Sequence, residues 1–85
     1  MNFYSNLPSI DLHGLDRITA IIKVREFLED YYKLGYERVV IIHGIGTGVL
    51  RKAVSDYLAH EKHVLDYKVD FMNPGCTVVT FKRNS

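Results

Sequence analysis

The sequence predicts an α/β (α+β) two-layer sandwich, in which two helices cover a four-stranded mixed sheet. Its 85 residues, 47% of them hydrophobic, are enough for one small domain with a single core. Segments with strand-like patterns and segments with helical periodicity follow each other in the order β-α-β-α-β-β. Two crossover connections place the first three strands parallel, and a final hairpin adds an antiparallel strand.

The spacing of apolar residues changes between the first predicted strand and the first predicted helix. Residues 9–13 alternate between apolar and polar types, and Gly14 ends this strand. Asp16 fits a helix N-cap and Gly35 fits a left-handed C-terminal stop, which predicts a helix over residues 17–34. The expected buried stripe of this helix comprises Ile18, Ile21, Ile22, Val24, Leu28, Tyr31 and Leu34, with Phe27 at its margin.

The second half of the chain predicts one buried strand, one helix and a hairpin. Residues 38–43 form a continuous β-branched run, typical of a central strand, and a glycine-rich segment over 44–48 separates it from a helix over 49–60. Residues 65–71 alternate, which predicts a strand with one apolar face, and a turn at 73–75 leads to a last strand over 76–81. The expected buried stripe of the second helix comprises Leu50, Ala53, Val54, Tyr57 and Leu58.

The charge balance restricts the kinds of partner that the chain can bind. Eleven Lys and Arg residues against ten Asp and Glu residues leave a formal net charge of +1. This balance excludes a highly charged disordered segment. It also argues against nucleic-acid binding by bulk charge, because such domains are usually strongly basic. Any anion site must therefore be local.

Cysteine usage and hydropathy indicate the compartment. Cys76 is the single cysteine, so the chain has neither an internal disulfide nor a zinc knuckle, and a reducing compartment is expected. The N-terminus lacks the features of a secretory signal, and the apolar run over 39–42 is far shorter than the ~20 residues of a membrane span. We expect a soluble, cytoplasmic protein with no membrane partner, a flexible arm over residues 1–8 and one domain over 9–83.

The glycine-rich segment is a candidate phosphate site. Glycines allow backbone N–H groups to approach an anion, and the N-terminus of a helix adds unpaired donors. The segment matches neither the dinucleotide fingerprint nor a Walker A loop, so no nucleotide cofactor is expected. The alternative is a turn that only reverses the chain. The predicted phosphate-binding residues are Gly44, Gly46, Thr47, Gly48, Arg51 and Lys52.

Asp11, His13 and His43 are candidate catalytic residues. Residues i and i+2 of a strand share a face, so Asp11 can orient the His13 imidazole for general acid–base chemistry. If the first two strands are parallel neighbours, His43 lies at the same edge of the sheet. The alternatives are a surface Asp–His pair and a His43 ring that braces the loop by hydrogen bonding. A further alternative is a metal site formed by the three residues, although they follow no strict spacing of metal ligands.

Three segments resemble motifs of the Smr (small MutS-related) domain family. Residues 10–14 resemble its L-D-L-H-G motif, and residues 43–51 resemble its H-G-x-G-x-G-x-L-R motif. Residues 75–79 resemble the tail of its terminal G-x-G-x-T-hydrophobic segment, although Asn73-Pro74-Gly75 replaces the usual Gly-Gly-x-Gly turn. The resemblance covers residues 9–82, with both main motifs in order and at the family's separation.

The resemblance implies a fold, a function and site residues. The family fold is β-α-β-α-β-β, similar to the C-terminal domain of a bacterial translation initiation factor. Its members bind nucleic acid, several are endonucleases acting on DNA or RNA, and some are tied to ribosomes or to repair proteins. By resemblance, Asp11 and His13 occupy positions linked to cleavage. His43, Gly44, Gly46, Gly48 and Arg51 occupy the second motif.

The expected function is therefore nucleic-acid binding with cleavage of a phosphodiester bond in RNA or DNA. One alternative is a non-catalytic module that docks on structured RNA, the ribosome or a branched duplex, and another is a binder of small phosphates. No cofactor is firmly implied by the sequence. A divalent metal ion is relevant if water attacks DNA, whereas the 2′-hydroxyl of RNA can act as an internal nucleophile without metal.

Overall fold

The computed structural model describes residues 6–83 and confirms the predicted order of elements. The helices are α1 (Arg17–Lys33) and α2 (Val49–Leu58). The strands are β1 (Ser9–Asp11), β2 (Arg38–Ile42), β3 (Val64–Val69) and β4 (Cys76–Phe81).

The four strands form one mixed sheet in the order β1-β2-β4-β3. β1 pairs with β2 in parallel, and β4 pairs antiparallel with both β2 and β3. The first three strands therefore run in the same direction, as predicted, and their C-terminal ends lie at one edge, here called the carboxyl edge. The last strand of the chain lies between β2 and β3, so β3 is an edge strand.

The core lies between the sheet and the two helices. In α2, Val54 and Leu58 are buried, as predicted. The core consists of Leu12, Ala20, Val24, Leu28, Val39, Ile41, Val54, Leu58, Val79 and Phe81.

The predicted stripe of α1 is partly wrong. Its buried line passes through Ala20, Val24 and Leu28, each four residues from the next. Ile18 and Leu34 are 73% and 69% exposed, and Ile22 is also exposed. The apolar residues of α1 extend around more of the helix than the sheet and α2 can cover, so those at the margins of the stripe face solvent.

The prediction of a continuous apolar face on β3 is also wrong. Tyr67 packs against the core, but Leu65 and Val69 are exposed and Phe71 lies beyond the end of the strand. A register shift between Val64 and Asp66 interrupts the pairing with β4. As an edge strand, β3 meets the core only through Val64 and Tyr67.

Five elements, β1, α1, β2, α2 and β3, end one or two residues earlier than predicted, and local hydrogen bonds explain the ends of β1 and α2. β1 ends at Asp11 because the Leu15 N–H donates to the Leu12 carbonyl and turns the chain. α2 ends at Leu58, where the His60 N–H donates to the carbonyl three residues before it.

The predicted N-terminal arm lies partly outside the described residues, which begin at residue 6. At its end, the Pro8 carbonyl accepts a hydrogen bond of 2.9 Å from the Val40 N–H. No helix within residues 6–83 is long and apolar enough to cross a membrane.

Candidate functional site

Two loops that contain the predicted site residues meet at the carboxyl edge. Asp11 pairs with Ile42 in the parallel β1–β2 ladder, and the Leu12 N–H donates to the Ile42 carbonyl at 2.8 Å. The turn that contains His13 therefore lies beside the strand end that leads into residues 44–48, here called the glycine segment. The predicted juxtaposition of β1 and β2 is confirmed.

Asp11 contacts the backbone of His13. Its Oδ1 atom accepts a hydrogen bond of 2.9 Å from the His13 N–H, which fixes the turn after β1. Both side chains are exposed, and within residues 6–83 the His13 imidazole makes no hydrogen bond. Asp11 thus positions His13 through the main chain.

His43 is held on both sides of its ring. It is only 5% exposed, its Nδ1 lies 3.0 Å from the Gly44 carbonyl oxygen, and its Nε2 lies 2.8 Å from the Thr77 hydroxyl oxygen. Because a carbonyl only accepts, Nδ1 is the donor, and Nε2 of the neutral ring accepts from the hydroxyl. This arrangement favours the bracing alternative over direct contact with a substrate.

Thr77 contacts a candidate site residue and was not predicted from the sequence motifs. It is 4% exposed, and its hydroxyl is the buried partner of His43 Nε2. The threonine of the family's terminal segment was the only sequence signal for this role.

Gly75 joins the last hairpin to the glycine segment. Its carbonyl accepts from the N–H groups of both His43 and Gly44, at 2.9 and 3.0 Å. A Cβ at Gly75 would lie 3.3 Å from Asn73 Oδ1 and 3.4 Å from backbone atoms of Gly44. The Asn-Pro-Gly turn therefore keeps a glycine where the backbones approach most closely.

The glycine segment leaves the first turn of α2 without a carboxylate cap. Gly44 and Gly48 have positive φ angles of 80° and 83°, a conformation that favours glycine. Gly48 is the N-cap of α2, and Thr47 Oγ1 lies 3.4 Å from the Val49 nitrogen. In contrast, the Asp16 carboxylate caps α1 by accepting from the Thr19 N–H at 2.7 Å. The first turn of α2 therefore offers backbone donors to an external anion.

Three cationic side chains lie near this helix end. The position of a Cβ on Gly48 would be 3.4 Å from Arg51 Nη2, so the guanidinium lies over the glycine segment. Arg17 and Lys52 line a cavity together with Thr47 and Gly48. Arg17 was not predicted, because nothing in its local sequence indicates that the start of α1 lies beside the glycine segment.

The glycine segment also forms part of a shallow cavity of about 300 Å³. Its wall includes His43 and the start of α1 at Arg17, but neither Asp11 nor His13. A larger cavity of about 540 Å³ lies between α1 and the loop after α2, lined by residues such as Arg25, Glu29 and Glu61. It contains none of the predicted site residues, whereas the smaller cavity is lined by His43 and the glycine segment.

The described part of the chain, residues 6–83, contains no group of three or more His, Cys, Asp or Glu side chains arranged to hold a metal ion. Asp11, His13 and His43 therefore do not form the three-residue metal site considered from the sequence. Cys76 is unpaired and buried, and burial raises the pKa of its thiol above the usual value. The sequence placed it at the start of β4, and the structure confirms this position.

Comparison with known proteins identifies the family. The Smr domain model matches residues 10–82. The chain belongs to the Smr domain family. Its two motif segments thus correspond to the turn after β1 and to the glycine segment described above.

The Smr relatives include parts of larger proteins. Endonuclease MutS2 of Clostridium kluyveri is 39% identical over 80 residues, which cover 94% of this chain and 10% of that protein. The crystal structure of the Smr domain of Thermus thermophilus MutS2 has a TM-score of 0.88 and 31% identity, covering 91% of this chain and 100% of that chain. YdaL, a stand-alone small MutS-related protein from Escherichia coli, has a TM-score of 0.83 at 21% identity, covering 88% of this chain and 64% of that chain, and supports the fold.

Proposed function

We propose that this Smr domain binds nucleic acid at its carboxyl edge and cleaves a phosphodiester bond there. The observation that carries the proposal is the uncapped start of α2 under the Arg51 guanidinium, beside the turn that exposes His13. Backbone donors and a guanidinium are the groups that hold a phosphate and stabilise the charge that develops on it. The endonuclease name of the MutS2 relatives supports the same conclusion.

In the proposed mechanism, His13 exchanges a proton with an oxygen of the reacting phosphate. With RNA, the 2′-hydroxyl oxygen attacks phosphorus, its proton passes to the imidazole, and the bond to the 5′ oxygen breaks. That oxygen leaves with a proton from a general acid. With DNA, water would attack phosphorus and give its proton to the imidazole, and the bond from phosphorus to one of the two ester oxygens would break. A divalent metal ion held with the substrate would assist by lowering the pKa of that water.

The other two predicted catalytic residues have supporting roles in this proposal. Asp11 holds the His13 turn through the backbone hydrogen bond. His43 is a positioning residue that joins the glycine segment to Thr77 on β4. The predicted phosphate ligands are the backbone of Gly44, Gly46, Thr47 and Gly48 and the side chains of Arg51 and Lys52.

A second candidate function is a binding module without catalysis. The exposed His13 imidazole donates no hydrogen bond to Asp11, and neither residue lines the cavity at the glycine segment. Such a module would dock on structured RNA, the ribosome or a branched duplex. We propose ribosomes and repair proteins as the partners of such a module.

The chain spans about a tenth of the length of its curated relatives, so their activities are proposals for this chain. A cytoplasmic location is also proposed, supported by the unpaired, buried Cys76.

The test is a cleavage assay with end-labelled RNA and DNA, with and without a chelator, alongside binding measured at several salt concentrations. Cleavage of either nucleic acid supports the endonuclease. Binding without cleavage supports the module. Arg51→Ala is expected to reduce the slope of log affinity against log salt concentration by about one. The control is Lys33→Ala, which removes an exposed cation at the C-terminal end of α1 and should leave the slope unchanged. If the parent binds neither nucleic acid, the proposal is wrong.

A further inference from the structure

The loop between β3 and β4 exposes two consecutive large apolar side chains. Phe71 is 90% exposed and Met72 is 83% exposed, more than any other large hydrophobic residue in the described chain. Because β3 runs parallel to β1 and β2, this loop leaves the sheet at the carboxyl edge. The two side chains thus lie at the same edge as the candidate site.

Hydrogen bonds within the loop hold this apolar tip in shape. The Asp70 N–H donates to the Cys76 carbonyl at 2.8 Å, and the Cys76 N–H donates to the Asn73 carbonyl at 3.0 Å. The Asn73 side chain also accepts from the Gly75 N–H at 3.1 Å. Since Gly75 in turn accepts from the backbone of the glycine segment, the tip is connected directly to the candidate phosphate site.

A groove of about 400 Å³ lies between α2 and the end of β3. Arg51, Lys52 and Asp56 of α2 line one side, and Tyr67 and Val69 of β3 line the other. The Lys52 ammonium lies 3.4 Å from the Asp56 carboxylate, so the Arg51 guanidinium is the cation of this side without an acidic partner in the groove. Phe71 follows Val69 by two residues. A guanidinium on one side facing an aromatic and apolar side suits a nucleotide, whose phosphate and base need these two environments.

We propose that this groove and its Phe71 tip receive an unpaired nucleobase next to the phosphate bound at the glycine segment. This inference rests on the proposed function and narrows its substrate to nucleic acid that is single-stranded beside the bound phosphate. A base in a duplex is stacked on both faces, so only an unpaired base can present a π-face to Phe71. Stacking of this kind tolerates different bases, because every base has a π-face.

The experiment compares binding of an oligothymidylate with binding of an abasic oligonucleotide of equal length, by fluorescence anisotropy. The two probes share their phosphates and differ only in their bases. The parent is expected to bind the oligothymidylate roughly 5- to 150-fold more tightly, the range that corresponds to stacking of one base. Phe71→Ala should lose this preference while its affinity for the abasic probe is unchanged.

Three further variants separate stacking from other effects. Phe71→Trp should keep the preference, and Phe71→Leu, which retains an apolar side chain without a π-face, should lose most of it. Leu34→Ala removes a side chain that is 69% exposed at the C-terminal end of α1, away from the carboxyl edge, and this variant should behave as the parent does. Sedimentation of the parent and of Phe71→Ala shows whether the tip instead mediates self-association.

The outcomes distinguish this inference from the function on which it rests. The base site is overturned if the parent and Phe71→Ala prefer the oligothymidylate over the abasic probe by the same factor. It is also overturned if the parent binds both probes with the same affinity. Either result leaves phosphate binding at the glycine segment intact. A change in self-association without a change in base preference also overturns it. A parent that binds neither probe contradicts both the base site and the proposed function.

Discussion

The Nε2 atom of His43 lies 2.8 Å from the hydroxyl oxygen of Thr77, and both side chains are buried. This hydrogen bond crosses from the end of β2 to β4 and connects residues 34 positions apart in the chain. The other ring nitrogen contacts the Gly44 carbonyl, so the imidazole joins the last hairpin to the start of the glycine segment. The geometry of the phosphate site therefore depends on a strand that contributes none of its predicted ligands.

Thr77→Val is expected to destabilise the fold by about 1–3 kcal/mol, because it leaves His43 Nε2 buried without a partner. Unfolding in urea, followed by circular dichroism, measures this loss. Thr80→Val is the matched control, since Thr80 lies on the same strand and is less buried. A Thr77→Val variant as stable as the control would show that the bond does not hold the site.

Gly48→Ala and Gly35→Ala form a pair of variants with similar backbone strain. Both glycines have positive φ angles, 83° and 91°, so each substitution should cost roughly 1–2 kcal/mol of stability. Only Gly48→Ala places a methyl group 3.4 Å from Arg51 Nη2 at the start of α2. We expect nucleic-acid affinity to fall for Gly48→Ala alone, and an equal fall in Gly35→Ala would contradict this account.

Asp16 should make the stability of α1 dependent on pH. The hydrogen bond from the Thr19 backbone N–H lowers the pKa of this carboxyl below its usual value of 3.8. Its ionised form therefore stabilises the fold at pH values above the unfolded pKa, and this contribution is lost as the pH falls through the folded pKa. Thermal melts should show Asp16→Ala less stable than the parent near neutral pH.

The same melts at about pH 3 should bring the two proteins closer together. Asp30→Ala, which removes another exposed acidic residue of α1, is the control and should show no comparable convergence. A constant difference between Asp16→Ala and the parent across this range would show that the carboxylate does not act as the cap.

Asp11→Asn should separate the two possible roles of Asp11. The amide oxygen of asparagine can accept the same hydrogen bond from the His13 N–H, but it has no charge. We expect Asp11→Asn to cleave within about threefold of the parent and Asp11→Ala to cleave roughly 10- to 100-fold more slowly, because the turn is lost. Equal loss in both variants, measured as single-turnover rates, would instead show that the charge acts directly.

The sequence predicts the fold well where local signals and tertiary packing agree. The Asp16 cap, the Gly35 stop and the β-branched run of β2 each indicate one structure, and all three are confirmed. The exposure of Ile18 was not predictable, because it depends on how far the sheet and α2 cover α1. The exposure of Phe71 was not predictable either, because it depends on the position of β4 between β2 and β3, which leaves β3 at the edge of the sheet.

In the candidate site, too, the relations that have a local sequence signal were predictable and those that depend on tertiary packing were not. The motifs indicate which residues belong to the two loops, and the parallel β1–β2 pairing that brings them together follows from the chain order. The partner of His43 depends on the register of β4, and the position of Arg17 depends on how α1 packs beside α2. Neither relation has a local signal in the sequence.

The most direct test of the central claim is the single-turnover cleavage rate of His13→Ala on whichever nucleic acid the parent cleaves. We predict a rate about 10²- to 10⁴-fold below the parent with unchanged binding, because the variant lacks only the proton-transfer group. His60→Ala, which removes another exposed imidazole, should cleave as the parent does. Cleavage by His13→Ala at the parental rate would contradict the assignment of the carboxyl edge as a catalytic site.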